Sequence, residues 1–546
     1  MKDFRSCVRG LAGLMRPVKW KITGIILIGI VQVTAALAYV WLSKHVIDLA
    51  TSQVEGNFIA AVLLLVGVMF FEILCRLSEN YLRGFVTIDT QNKMREVVFA
   101  SVMRSTWQGR EKFHSGDTIN RLEEDIRVCV DFVCSNFTEL AVTLVQLIAA
   151  TVFLAVLAPQ LAFILLIIMP VAVLGSRLLF RRMRSITNEI RAGDSAVQGY
   201  MQENIQHRMI VRVLGGTANV LRRLGLLQKD VKKKTMRRLG YSTISRAVMN
   251  TGFATGYAVA FLWGVFGLRD GTVTYGLMVA FLQLVNRVQR PVVDITRHIP
   301  AFIRALSSEE RLMELEELPQ EEEAADIKLE GAPGVRVRNL TYTYPGKTKD
   351  VISGMDFNFA PGTLTAITGP TGAGKSTLAR LILGLVKPVS GSVSIYSGAE
   401  EYPAGVAMRC NFMYVPQGNT LMSGTIRQNL LLAAPDATEE QMKEVLHLAV
   451  ADFVFDLPDG LDTVCMEVGG GLSEGQAQRI AIARGLLRPG GILVLDEATS
   501  ALDAATEMTL LERIYTRFSG KKTIICITHR EAVGKYADAV LDVPDL

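Results

Sequence analysis

The sequence predicts a multidomain chain, with an all-α domain of six membrane-crossing helices followed by an α/β domain. Three observations predict it. Half of the 546 residues are hydrophobic, yet 20% are charged, and the mean hydropathy is +0.29. A chain that is part membrane and part soluble averages to such values. Apolar runs of about the twenty residues needed to cross a bilayer recur through the first half. In the second half, the pattern G-x-x-x-x-G-K-[ST] stands between a strand-like run, 364–368, and a helical run, 377–383. That strand-loop-helix context makes the second part an α/β P-loop nucleotide-binding domain.

The length exceeds what one compact core accommodates. A net charge of +5 is modest and does not call for nucleic acid. Seven cysteines, odd in number and scattered without a C-x-x-C pair, point to a reduced compartment and to no structural zinc.

Residues 1–20 open the chain as an amphipathic interfacial helix. Phe4, Val8, Leu11 and Met15 recur at helical spacing while Lys2, Arg5, Arg9 and Arg16 take other faces. The six-span domain is expected over 21–306. Its first run, 22–42, contains Ala36-Leu37-Ala38, which looks like a signal-peptidase site, but the basic leader is long and more spans follow. The others are 58–74, 140–157, 161–174, 247–268 and the short 273–285, which passes into Asn286-Arg287-Val288-Gln289-Arg290. Arg and Lys crowd the leader and the connections 76–127 and 177–246, whereas Ala158-Pro159-Gln160 carries no charge. The leader and both long connections therefore face the cytoplasm, and the sixth run must cross to bring the second domain there.

Both connections are charged and nearly free of proline, as helices that continue out of the bilayer are. Each needs a turn at its tip, 113–117 in the first and 206–212 in the second. Lys232, Lys233, Lys234, Arg237 and Arg238 read as a solvated face near anionic headgroups rather than as a nucleic-acid site. Of the polar residues within spans (Gln32, Glu72, Gln146, Asn250, Gln283), the ionisable Glu72 is a candidate substrate contact. Its alternative is to reach water or pair with a basic neighbour. A charged linker over 307–334 then leads to the second domain, 335–546.

There, 335–338 and 340–344 alternate as strands do, ending at Pro345-Gly346. The loop is Gly369, Pro370, Thr371, Gly372, Ala373, Gly374, Lys375, Ser376 and Thr377. Its glycines let backbone N–H groups close on a phosphate chain, the helix N-terminus adds a positive dipole end, Lys375 supplies a point charge and the Ser376 hydroxyl can ligate Mg²⁺. Next come Tyr414-Val415-Pro416-Gln417, Leu472-Ser473-Glu474-Gly475-Gln476, Ile492-Leu493-Val494-Leu495-Asp496-Glu497, Ser500-Ala501-Leu502-Asp503 and Thr528-His529. A strand ending in Asp-Glu offers a Mg²⁺-dependent nucleotide hydrolase one carboxylate for the metal and another to polarise water.

In that order these pieces resemble an ATP-binding cassette, and the whole chain resembles a half-transporter of the exporter-type ABC family, in which two halves dimerise. The resemblance implies that Tyr344 stacks on adenine and that Gly369 to Thr377 hold the phosphates of ATP. It implies that Ser376 and Gln417 ligate Mg²⁺ while Asp496 holds it through water. It makes Glu497 the general base, has His529 contact the γ-phosphate and has Asp503 signal across the dimer. Ser473, Gly475 and Gln476 would cap the ATP of the partner's loop.

Two departures stand out. Glu474 replaces the family's usual glycine, with an expected slowing of hydrolysis at most, since the start of a helix favours negative charge. The chain ends soon after the strand 539–543, without the family's usual terminal helix, which bears on closed-dimer stability. The function expected is that of an ATPase coupled to transmembrane transport: an exporter of an amphipathic or hydrophobic small molecule, lipid or peptide, multi-pass in the inner membrane with its ATPase domain in the cytoplasm. A homodimer is preferred over a heterodimer because the catalytic set is complete. The alternatives are an importer with the same fold, for example of a metal chelate, and a membrane protein with a silent cassette, which Glu497 and His529 argue against.

Overall fold

The computed structural model describes residues 4–107, 115–160, 162–164, 167, 180–465, 471–529 and 531–544. It divides into two compact units. One runs up to Ala100 and from Gly116 to Glu316; the other joins Ser101–Trp107 to the chain from Glu317 onward.

Among the described residues, the first unit is built of helices joined by turns. After α1 (Phe4–Met15) come α2 (Lys19–Ala50) and α3 (Phe58–Arg104). One helical path follows, made of α4 (Ser115–Asn120), a π-turn at Arg121–Asp125, α5 (Ile126–Asp131), a π-turn at Phe132–Asn136 and α6 (Phe137–Leu157). Then come α7 (Phe180–Gln206), α8 (Arg208–Val213), α9 (Thr217–Arg269) and α10 (Tyr275–Glu316).

Among the described residues, four helical stretches are long and apolar enough to cross a membrane: α2, α3, Gly116–Leu157 and α9. The expected run at 161–174 lies largely outside the described residues. The sixth run is a helix only from Tyr275, and the polar stretch after it continues the same helix. The N-terminus of α10 is anchored by the buried Asp48, whose Oδ1 accepts from Gly276 N at 3.1 Å. Val40, Leu154, Ala260 and Phe281 bring α2, α6, α9 and α10 into one apolar core. Within the spans, Glu72 pairs with Arg76 at 2.8 Å and faces Arg287 at 4.0 Å, so it takes the basic neighbour.

Four local details refine the expectations. In α1 the residues buried are Cys7 and Leu11, while Phe4 and Val8 point outward. The second tip turns around α8, where Gly215 at φ +65° supplies the break. At the first, Phe113 and His114 lie outside the described residues, and Ser115–Asp117 open α4 rather than a turn. The stretch expected as a linker from 307 is helical as far as Glu316.

The second unit is α/β. Its strands are β1 (Gly334–Tyr342), β2 (Ile352–Phe359), β3 (Leu364–Thr368), β4 (Ser390–Ser397), β5 (Glu400–Pro403), β6 (Phe412–Val415), β7 (Gly424–Thr425), β8 (Val464–Cys465), β9 (Ile492–Asp496), β10 (Thr523–Ile527) and β11 (Ala539–Asp542). Its helices are α11 (Lys375–Ile382), α12 (Ile426–Leu431), α13 (Glu439–Leu448), α14 (Glu474–Leu487) and α15 (Ala504–Phe518). A five-stranded sheet of order β11-β3-β10-β9-β6 is parallel throughout. Its strands β9 and β10 are buried at every position, which is why they read as unbroken apolar runs. A four-stranded antiparallel sheet, β2-β1-β4-β5, lies beside it. Asn339, at φ +46°, breaks the register of β1, and the strand ends at Tyr342, so Tyr344 lies just past it.

Candidate nucleotide site

The carboxyl ends of β3, β9 and β10 gather at one edge of the parallel sheet, where open α/β sheets bind ligands. From β3 the chain enters the glycine loop, with Gly369, Gly372 and Gly374 all at positive φ (+138°, +94° and +92°). A Cβ at Gly374 would lie 2.8 Å from Val351 Cγ1, and one at Gly369 would collide with the Val543 carbonyl. Only glycine fits there. Lys375, the first residue of α11, is buried, and its Nζ donates to the carbonyls of Gly369 and Pro370 at 2.8 Å each. Burial lowers its pKa, with Glu497 and Asp496 opposing.

Asp496 closes β9. Its Oδ1 accepts from Ser376 Oγ at 3.1 Å and its Oδ2 from Tyr414 OH at 3.4 Å. Burial raises the pKa of its carboxyl, and the Ser376 hydrogen bond pulls it back. The next residue, Glu497, sits at φ +46°, a conformation costing roughly 1–2 kcal/mol in a residue with a Cβ. Its N–H, bonded to Ile527 O at 3.0 Å, holds it there. Gln417 Nε2 donates to one oxygen of this carboxylate at 2.6 Å, and His529 Nε2 lies 3.0 Å from the other. Two residues distant in sequence, Gln417 and His529, thus converge on the Glu497 carboxylate.

The oxygen donors fit Mg²⁺, which takes few protein ligands and keeps its waters. Ser376 and Asp496 are adjacent, and Gln417, donating through its nitrogen, keeps its amide oxygen for a metal. Tyr344 stands beside the loop helix with its hydroxyl 2.9 Å from Thr377 Oγ1 and 2.9 Å from Arg380 Nη1. Arg380 and Tyr414 were not singled out by sequence reasoning. For Arg380 the signal is its place one helical turn after Ser376.

The remaining expected residues form a second cluster. Ser473 caps α14 in a reciprocal box with Gln476, and a Cβ at Gly475 would lie 3.1 Å from Ala501 O. Gln478 bonds Ser500 Oγ and Ala501 N. Asp503 caps α15, accepting from Thr506 N at 3.0 Å, and these hydrogen bonds hold its carboxyl below the usual range. The Gln478 bonds tie α14 to the turn at Ser500 and Ala501.

Residues 22–292 match the family model of the ABC transporter transmembrane region, and 352–500 match that of the ABC transporter. The chain belongs to the exporter-type ABC half-transporters. It is similar to the ATP-dependent lipid A-core flippase of Vibrio cholerae, with 27% identity over 94% of this chain and 89% of that one. It is also similar to the ABC multidrug transporter mdr2 of Aspergillus fumigatus, with 29% identity over 78% of this chain and 54% of that one. The structure of a bacterial Atm1-family ABC exporter with ATP bound shares the fold, at a TM-score of 0.79 and 23% identity over 96% of this chain and 93% of the other. The ABC exporter described here is accordingly a nucleotide-binding membrane protein whose ATPase is coupled to transport.

Proposed function

We propose that two copies of this half-transporter work together in the inner membrane, closing on ATP and resetting on its hydrolysis to move an amphipathic molecule outward. The observation that carries this reading is the convergence of Gln417 and His529 on the Glu497 carboxylate beside the Ser376–Asp496 pair. Glu497 takes the proton of the attacking water, and His529 orients that carboxylate and reaches the γ-phosphate. Lys375 and the loop N–H groups of Gly369 to Thr377 hold the phosphates, and Tyr344 carries the base. Ser376 and Gln417, with Asp496 through water, would hold Mg²⁺, which would supply positive charge against the phosphates.

Membership of the half-transporters, in which two cassettes meet, supports a site completed by the partner's copy, with Ser473, Gly475, Gln476 and Asp503 facing its ATP. So does α9, which buries Gly256, Ala260 and Gly264 but leaves Leu221, Leu226, Phe261 and Phe266 exposed for lipid or a second chain. The Glu72, Arg76 and Arg287 charges within the spans suit a cargo with a polar head, in line with the lipid A-core flippase and multidrug names of two relatives.

The test is Glu497→Gln in lipid nanodiscs. Turnover should fall roughly 10²-fold or more, the scale of a lost general base, with ATP still bound. Hydrolysis near the wild-type rate in purified Glu497→Gln would overturn the assignment.

A further inference from the structure

Trp107 lies just past the end of α3, yet it belongs to the compact unit of the nucleotide domain. Backbone hydrogen bonds fix the segment there: Thr106 N donates to Pro319 O at 2.8 Å and Glu321 N to Arg104 O at 2.9 Å. The indole packs against the buried apolar cluster that includes Tyr342, Ile352 and Leu378, as Tyr344 and Val351 also do. Its ring faces the Arg380 guanidinium, with Cζ 5.7 Å from the ring centroid. Arg380 in turn donates to the Tyr344 hydroxyl, which also meets Thr377 of the phosphate loop.

We infer that Trp107 is a positioning residue for the nucleotide's base: by holding Arg380 in place it fixes the Tyr344 ring, so that affinity for adenine depends on a residue outside the cassette sequence. The inference rests on the proposed stacking of adenine on Tyr344. An arginine side chain has many rotamers, and an aromatic face on one side with a phenol oxygen on the other removes most of that freedom. Arg380 also feels the charge of Asp496. Without the indole, that carboxylate competes for the guanidinium, and the Tyr344 hydroxyl keeps Thr377 alone while its ring rests edge-on against Tyr342.

The experiment compares dissociation constants of the full-length protein in nanodiscs for ATP and for inorganic tripolyphosphate, which has no base. Trp107→Ala should raise the constant for ATP about 3- to 10-fold, the range of a cation–π contact, and move that for tripolyphosphate less than about twofold. Trp107→Phe should recover part of the loss. Equal losses for both ligands, or none for ATP, overturn the relay. Tyr344→Ala separates the two readings. If it too leaves ATP affinity unchanged, base stacking itself fails; if it weakens ATP alone while Trp107→Ala does not, only the relay fails.

A second measurement survives a poorly folded alanine variant. With Trp20, Trp41 and Trp263 replaced by Phe, Trp107 is the sole tryptophan. Its emission should shift on adding ATP but not tripolyphosphate, and Arg380→Met should abolish the shift. Emission unchanged by ATP overturns the inference.

Discussion

Glu474 stands exposed in the first turn of α14, directly after the capping Ser473. In a site completed by a partner's ATP, its carboxylate adds like-charge repulsion near the γ-phosphate, and the helix N-terminus offsets part of it. Effects of about 0.3–1 kcal/mol on either side imply that Glu474→Gly speeds ATP turnover by roughly 2- to 5-fold, measured in nanodiscs at saturating ATP. A slower variant would show that the carboxylate assists instead. Glu497 illustrates a different limit at this scale. Its place after an apolar strand is visible in the sequence, but its left-handed backbone and its two partners, Gln417 and His529, come from separate strand ends.

Helix α1 packs over the C-terminal part of α10, where Phe4 meets Phe302 edge-on at 6.4 Å and Gly10 leaves room for Glu309. Glu309 is buried there, outside the membrane-spanning segments, and burial pushes its carboxyl up to about 7 despite a hydrogen bond from Cys129. The folded form therefore holds a proton that the unfolded form releases near 4.5. The resulting stability is full below that value and is lost as pH rises through about 7. Amide exchange across residues 4–15, corrected for intrinsic rates, should be faster relative to the rest of the protein at pH 8 than at pH 5. Glu309→Gln should remove the difference; an unchanged pH dependence in that variant would rule Glu309 out as its source. The helix itself is legible from the spacing of Phe4, Val8, Leu11 and Met15. Which of its residues are buried is not, because Cys7 and Leu11 are covered while the equally apolar Phe4 and Val8 stay exposed. The two π-turns likewise leave no sequence signal, although one of them places Asp125 against Arg311 at 2.7 Å and Arg121 against Glu314 at 2.6 Å.

For the whole molecule, a shared site makes a sharp prediction. A Ser473→Arg chain damages the site whose glycine loop belongs to its partner, while Lys375→Ala damages its own. In a mixed dimer of the two, both lesions fall on one composite site and the other is intact. ATPase activity should return in the purified, doubly tagged mixed dimer relative to either mutant homodimer. No recovery would count against the shared site, provided that a dimer of wild type with Lys375→Ala turns over. The sequence by itself determined four of the spans, the glycine loop and the order of motifs after it. Each of these is a local signal: hydropathy sustained over one helix length, or a contiguous pattern whose chemistry needs only its neighbours. The tertiary structure alone decided that Gln417 and His529 meet on the Glu497 carboxylate, that Trp107 reaches Tyr344 through Arg380, and that Gln478 ties the helix capped by Ser473 to Ser500 and Ala501. These pairings join residues far apart in the chain, and sheet order and helix packing, not local spacing, bring them within a few ångströms.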